Sequence, residues 1–380
     1  MSQFTVTCVV YRGGTSRGLF FHESSLPKSN HLRELIFLKG IGAEDASHVN
    51  GLGGGTSHTS KVVIIDRSTR PGIDVDYTFV QLGIGNDVID YEGTCGNLMA
   101  AVGAFAVDEG LVRVSEKNGV VTVNVWSTNI GKRLAIQVPL EEGKAKVTGD
   151  YVMSGVKSPG AKFLVHIQQP GGGKTGMTLP LSEQTTMETE NLQINYSFVD
   201  LVNPFVYVKA KDLSVEGTTS FKALAKDDFL LANLEQIREY TAVKSGLAPS
   251  VEQARDTFVA LPKVSFVSEP VDYQTTSGKW IKKKDYDILA CMTSVKKLHG
   301  TFAVSGLLNL AGACLLKGTI PNEVCAMESK KGEQIVRIGH PDGVVKIRVK
   351  KSESDEMIDY VGLERTARRI MAGELYVPVE

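Results

Sequence analysis

Two residues sit in surroundings that could support chemistry, a cysteine and a lysine. Cys95 lies in Tyr91-Glu92-Gly93-Thr94-Cys95-Gly96-Asn97, directly ahead of the small, apolar run Leu98-Met99-Ala100-Ala101-Val102-Gly103-Ala104-Phe105. A cysteine at a helix start is near the positive end of the helix dipole and several amides without intrahelical partners, which favours thiolate. The same amides are a ready carboxylate site. The residues alone equally allow Cys95 to be a small core side chain. Cys8, Cys291, Cys314 and Cys325 stand in apolar strand-like or helical contexts and read as core. Lys61 ends the Gly- and hydroxyl-rich stretch Gly51-Leu52-Gly53-Gly54-Gly55-Thr56-Ser57-His58-Thr59-Ser60 and opens the apolar run Val62-Val63-Ile64-Ile65. By composition it is first an exposed lysine at a strand start, and second a functional cation.

Several other chemistries are disfavoured. A phosphate-binding loop needs Gly-Lys-Ser/Thr before a helix, whereas here Ser60 precedes Lys61, Val62 follows it and a strand comes next. Gly83-Ile84-Gly85-Asn86-Asp87-Val88 fails the dinucleotide fingerprint, with Val88 where the third glycine belongs. The seven histidines show no HExxH or comparable spacing, and the five cysteines no CxxC pair, so no metal site is expected. His299 and His340 lie in turn-rich settings, where a hydrogen-bonded structural histidine is the commoner outcome than ligand contact.

The elements that must position Cys95 and Lys61 follow from periodicity. Val6–Val10, Lys61–Ile65, Val75–Leu82, Val120–Trp126, Lys132–Val138, Ile194–Leu201 and Val344–Val349 read as strands. Leu32–Leu38, Asn97–Val107, Leu230–Ala242, Ser305–Leu316 and Leu363–Met371 read as helices. Strands clustered around isolated helices argue for α+β packing. The 380 residues, 42% hydrophobic and 22% charged, suffice for two domains. The Gly-rich segment Gln169–Gly176 and the polar stretch after it put the boundary near residue 185. The halves resemble each other weakly: a small-residue helix beginning Cys95-Gly96-Asn97 has a counterpart beginning Ser305-Gly306-Leu307. A net charge of −1 gives no field for nucleic acid or an anionic membrane. The N-terminus lacks a signal-peptide pattern, and no apolar run approaches the ~18 residues of a spanning helix. A cytoplasmic protein is the expectation.

Arg12-Gly13-Gly14-Thr15-Ser16-Arg17-Gly18, Thr59-Ser60-Lys61, Val75-Asp76-Tyr77, Gly93-Thr94-Cys95-Gly96-Asn97, Arg337-Ile338-Gly339-His340-Pro341 and Ala367-Arg368-Arg369-Ile370-Met371-Ala372-Gly373 together resemble the PrpF family over almost the whole chain. That family includes 2-methylaconitate cis-trans isomerase, methylitaconate Δ-isomerase, aconitate isomerases and oxalomesaconate tautomerase. The resemblance implies a diaminopimelate-epimerase-like fold, two pseudo-symmetric domains each wrapping a β-sheet around a central helix, with the active site in the cleft between them. The implied domains are 1–184 with 374–380, the last strand Leu375–Val379 returning to the first, and 185–373. Epimerases of this type use two cysteines. Only Cys95 matches here, and Ser305 stands at the second place, which argues against a symmetric racemase and leaves Lys61 as the other proton carrier.

The implied activity is a cofactor-independent isomerisation of a small unsaturated polycarboxylate. A C–H beside a carboxylate ionises only if preorganised donors stabilise the enolate-like charge while a base takes the proton. Cys95 and Lys61 are the catalytic candidates. Thr15, Ser16, Ser60, Gly96, Asn97, Asn203, Ser305 and Gly306 are the candidates to bind carboxylates. No metal or cofactor is implied. A homodimer and a functional pairing with an aconitase-like dehydratase are compatible partners. The alternative of another class is a non-catalytic polycarboxylate-binding accessory protein to a dehydratase.

Overall fold

The computed structural model describes residues 2–91, 93–153, 155–189, 192–259, 261–294, 296–328, 330, 332–353 and 357–379. Its contacts divide the chain into two compact units, Met1–Ile167 with Glu364–Glu380, and Gln168–Leu363.

The first unit runs β1 (Gln3–Gly13), β2 (Ser16–His22), α1 (Asn30–Ile41), β3 (Lys61–Arg67), β4 (Val75–Leu82), β5 (Ile89–Asp90), α2 (Met99–Asp108), β6 (Gly119–Ser127), β7 (Lys132–Glu141), β8 (Lys144–Ala145) and β9 (Phe163–Gln168). The second runs β10 (Thr185–Glu188), β11 (Gln193–Leu201), β12 (Asn203–Lys209), α3 (Phe221–Leu224), α4 (Asp228–Lys244), α5 (Val251–Asp256), β13 (Lys263–Ser268), β14 (Tyr273–Gln274), β15 (Trp280–Ile281), β16 (Ile288–Ser294), β17 (Lys297–Leu298), α6 (Val304–Leu315), α7 (Ile320–Val324), β18 (Gly332–His340), β19 (Gly343–Lys351) and β20 (Ile358–Arg365). The chain then returns to the first unit as β21 (Ala367–Pro378), antiparallel to β1.

Each unit repeats one topology. In the first, β1 pairs antiparallel with β21 and β2, β2 parallel with β3, β3 antiparallel with β4, β4 parallel with β6, and β7 antiparallel with β6 and β9. In the second, β11 pairs antiparallel with β10 and β12, β12 parallel with β13, β13 antiparallel with β16, β16 parallel with β18, and β19 antiparallel with β18 and β20. Here the weak sequence repeat becomes a matching order of pairings. It is the α+β arrangement the family resemblance implies.

The central helix α2 is apolar around its whole buried length, and α6 is so apart from the buried Asn309, because a sheet surrounds each. Every α2 residue from Met99 to Val107 is buried, packed on β1, β3, β6, β7, β8 and β21. Helix α6 packs on β11, β12, β18 and β19 and is buried from Gly306 to Leu315. The peripheral helices are amphipathic and capped by their sequence: Ser29 accepts from the Leu32 amide at the start of α1, and Asp227 from the Leu230 amide at the start of α4.

Two expectations are revised. The units part at Ile167/Gln168 and Leu363/Glu364, before the expected 184/185 and 373/374. The reason is local bonding. The Gly-rich segment folds onto β11, where Asp200 accepts from the amides of Lys174 and Thr175 and its carbonyl from Gly172, so it belongs with the second unit. The expected helix at Leu363–Met371 is instead the end of β20 and the start of β21. Leu363, Ala367, Ile370 and Met371 recur at helical spacing, but Ala367–Pro378 is in register with β1 from Gly13 back to Gln3, and that ladder overrides local pattern.

Candidate active site

In the first unit the candidate residues converge where the β1–β2 hairpin meets the start of α2. The turn Gly13-Gly14-Thr15-Ser16 lies so close to Asn97 that only glycine fits at its first two positions. A Cβ at Gly13 would stand 2.5 Å from the Asn97 carbonyl oxygen, and one at Gly14, whose φ is +54°, 2.4 Å from Asn97 Oδ1. Arg12 braces the turn from outside, its Nη1 donating to the carbonyls of Gly14 and Thr366 and to Thr366 Oγ1.

Cys95 is in a turn that feeds α2, its carbonyl accepting from the amides of Leu98 and Met99. The amides of Gly96 and Asn97 donate to no acceptor among the described residues. Cys95 Sγ, half-buried, lies 3.8 Å from Ser16 Oγ. Asn97 fixes the turn on both sides: its Nδ2 donates to Thr15 Oγ1 at 3.1 Å, and its Oδ1 accepts from Arg365 Nε at 2.9 Å. Burial lowers the Arg365 pKa, and the neighbouring Tyr151 and Cys95 partly offset this. Arginine stays charged throughout.

Lys61 is buried, 8% exposed, at the first position of β3. Its Nζ donates to Gln81 Oε1 at 2.5 Å and lies 5.0 Å from the centroid of the Phe79 ring. The Gln81 carboxamide is itself fixed, its Nε2 donating to the carbonyls of Ser60 and Leu82. Among the described residues neither Lys61 nor Arg365 pairs with a carboxylate, leaving two withdrawn cations without a counter-ion.

No hydrogen bond or ion pair joins Lys61 and Cys95, but one face of β4 serves both. Tyr77, Phe79 and Gln81 alternate onto that face. Tyr77 OH is 3.3 Å from Thr94 Oγ1, and the Phe79 ring edge would be 3.8 Å from a Cβ at Gly93. Burial pushes the Tyr77 phenol up to about 12, so it is a neutral donor. Ser60 differs from the other candidates: it is fully buried and its hydroxyl donates to the Thr56 carbonyl, so its side chain shapes the loop before Lys61.

In the second unit, Asn203, Ser305 and Gly306 gather at the start of α6. Ser305 lies within the first helical turn, whereas Cys95 precedes its helix. Ala303 caps α6 without a side-chain bond, and the amides of Val304, Ser305 and Gly306 have no acceptor among the described residues. A Cβ at Gly306 would stand 2.5 Å from Phe205 Cζ, so this glycine lets the helix settle on β12. Asn309, which sequence reasoning missed, is fully buried. It donates to the carbonyls of Val199, Leu201 and Asn203 and accepts from Tyr207 OH, fixing the β11–β12 hairpin that presents Asn203.

Gln81, Phe79, Tyr77 and Arg365 were also missed. Of these only Tyr77 stood in a recognisable motif. Three of the remaining cysteines fit their core reading: burial pushes the Cys8 and Cys291 thiols up to about 12, and Cys314 is fully buried. Cys325 departs from it: the thiol is half-buried, and a hydrogen bond with Cys314 lowers its pKa. His340 is buried, its Nδ1 accepting from the Asp342 amide. Among the described residues no three His, Cys, Asp or Glu side chains are grouped to hold a metal, and no helix is long and apolar enough to cross a membrane.

The 3-methylitaconate isomerase of Eubacterium barkeri is 38% identical to this chain, covering 99% of it and 98% of the relative. The 2-methyl-aconitate isomerase of Shewanella oneidensis is 32% identical, covering 99% and 98%. The crystal structure of a methylitaconate-delta-isomerase superposes with a TM-score of 0.90 at 37% identity, over 100% of this chain and 97% of that one. The pattern of the PrpF protein family matches residues 3–378, and with these relatives it establishes that the chain belongs to that family.

Proposed function

We propose that this chain is an isomerase of small unsaturated polycarboxylates, working by proton transfer between substrate carbon and the side chains of Cys95 and Lys61. The observation that carries the reading is the buried ammonium of Lys61, without a carboxylate partner among the described residues, on the same β4 face that supports the Cys95 turn. An anionic substrate supplies the missing counter-charge.

The steps follow from the groups present. A substrate carboxylate is held by the amides of Gly96 and Asn97, which have no acceptor among the described residues, with Thr15 and Ser16 beside them. One member of the Cys95/Lys61 pair removes an allylic proton next to a carboxylate. The resulting carbanion spreads over the allyl system and its carboxylates, where Lys61 and Arg365 offset the charge. The central bond then rotates before reprotonation, giving cis-trans isomerisation, or the proton returns at the far carbon and the double bond moves. The names of the relatives support acids of the methylaconitate and methylitaconate type, with aconitate and oxalomesaconate as variants of the same chemistry. The proposal includes a cytoplasmic location and accommodates a homodimer or a functional pairing with an aconitase-like dehydratase.

Proton NMR of cis- and trans-aconitate, 2-methylaconitate, methylitaconate and oxalomesaconate with the purified chain tests this. Conversion of one acid into an isomer of the same composition is expected. Tight binding of these acids with no conversion of any would replace the isomerase by a polycarboxylate-binding accessory protein.

A further inference from the structure

The matching topology of the two units gives Lys61 a counterpart. Lys61 opens β3, the strand parallel to β2, with Gly18 opposite it by the Leu19–Val62 register. Lys263 opens β13, the strand parallel to β12, directly opposite Phe205. Gly18 lies two residues into its hairpin strand from Ser16, and Phe205 two residues in from Asn203. The antiparallel neighbour repeats the correspondence. Lys61 faces Gln81 on β4 and donates to it, while Lys263 faces Ser294 on β16, by continuation of the Ser265–Met292 pairing, and donates to its Oγ at 3.3 Å.

Lys263 also points to the right place in its own unit. Register partners on parallel strands share a face, and the Phe205 ring covers Gly306 at the start of α6. Met292, next to Ser294 on the same face of β16, accepts from the Ala303 amide at the cap of α6. The register therefore puts Lys263 at the end of the sheet where α6 begins, the end that also carries Asn203 and the amides of Val304, Ser305 and Gly306, which have no acceptor among the described residues. Burial lowers the pKa of Lys263. A half-buried cation held by a neutral hydroxyl, with no carboxylate paired to it among the described residues, keeps its charge available to an anion.

We propose that Lys263 is a substrate-binding residue, its ammonium holding one carboxylate of the polycarboxylate substrate together with Ser294 and the first-turn amides of α6. This rests on the reading of the chain as an enzyme acting on polycarboxylates, and adds to it a second lysine with a binding role, distinct from the proton-carrying role of Lys61.

The test uses the full chain as wild type, Lys263→Met and Lys263→Arg. KM and kcat are read separately for the acid that the wild type isomerises, and the Kd of propane-1,2,3-tricarboxylate is read by calorimetry, independently of turnover. Lys263→Met is expected to raise both KM and Kd about tenfold or more, the scale of a lost charged hydrogen bond, with an unchanged thermal midpoint. Lys263→Arg is expected to recover most of the affinity. A folded Lys263→Met protein with wild-type KM and Kd overturns the proposal, as does one with a lowered thermal midpoint and unchanged Kd. If the wild type binds the tricarboxylate but converts none of the acids, the isomerase reading fails while the Kd comparison still decides Lys263. If the wild type binds no polycarboxylate, both fail.

Discussion

Lys61 and Gln81 are register partners on β3 and β4, and the ammonium donates to the carboxamide oxygen at 2.5 Å. A neutral acceptor holds the lysine in place without neutralising it, so its charge stays available to an anion. Replacing that acceptor therefore impairs the enzyme in different ways depending on the charge of the replacement.

Gln81→Leu removes the positioning bond, and kcat/KM is expected to fall about ten- to a hundredfold, the range of a lost hydrogen bond to a charged group. Gln81→Glu keeps a bond but adds a carboxylate that competes with substrate for the ammonium, so KM rises. Steady-state kinetics on both variants checks this, and an unchanged KM in Gln81→Glu would contradict the assigned role of Lys61.

Among the described residues, the hydrogen bond of Arg365 to the Cys95 turn is made to Asn97. Arg365→Met should leave the Asn97 carboxamide anchored on one side and let the turn wander. A loss of at least tenfold in kcat is expected, with about 1–3 kcal/mol of stability lost for the unsatisfied partner. Kinetics and urea denaturation report the two separately.

Asn309 satisfies three carbonyls and a phenol inside the second unit. Asn309→Leu strands them in a dry core, and a loss of about 3 kcal/mol or more is expected from urea midpoints. An exposed substitution such as Lys279→Met should cost nothing measurable, within about 0.5 kcal/mol.

His340 supplies a pH dependence. Burial pushes its pKa down to about 4 from the usual 6.5, with Asp342 pulling upward and His299 pushing down. The folded state therefore holds the neutral ring while the unfolded state binds a proton between those values, so stability is full above pH 6.5 and is lost as pH falls towards 4. The shift corresponds to roughly 3 kcal/mol at most. His340→Asn, which retains an acceptor for the Asp342 amide, should flatten the fall in urea midpoint between pH 7 and pH 5.

Much of the first unit's site was legible because its motifs are local. Cys95, Gly96 and Asn97 are consecutive, and Thr15 and Ser16 stand in one short motif; that Gly13 and Gly14 are there to let the turn approach Asn97 is seen only in the structure. Gln81, Arg365 and Asn309 were not legible, because each matters through a register or a return strand far away in sequence. The helix expected at Leu363–Met371 failed for the same reason: its spacing was helical, but the open edge of β1 claimed it. Lys263 did leave a trace. Lys263-Val264-Ser265-Phe266-Val267 repeats the lysine before an apolar run seen at Lys61-Val62-Val63-Ile64-Ile65, though only the matching strand order gives that likeness meaning.

The central claim, that Cys95 and Lys61 move the substrate proton, is tested most directly by following isomerisation in D₂O by proton NMR with wild type, Cys95→Ser and Lys61→Met, using the acid that the wild type converts. Each variant is expected to remain folded and to lose about 10²-fold to 10⁴-fold of the isomerisation rate, the scale of a lost general acid or base. Either variant, folded and isomerising at the wild-type rate, would contradict the account.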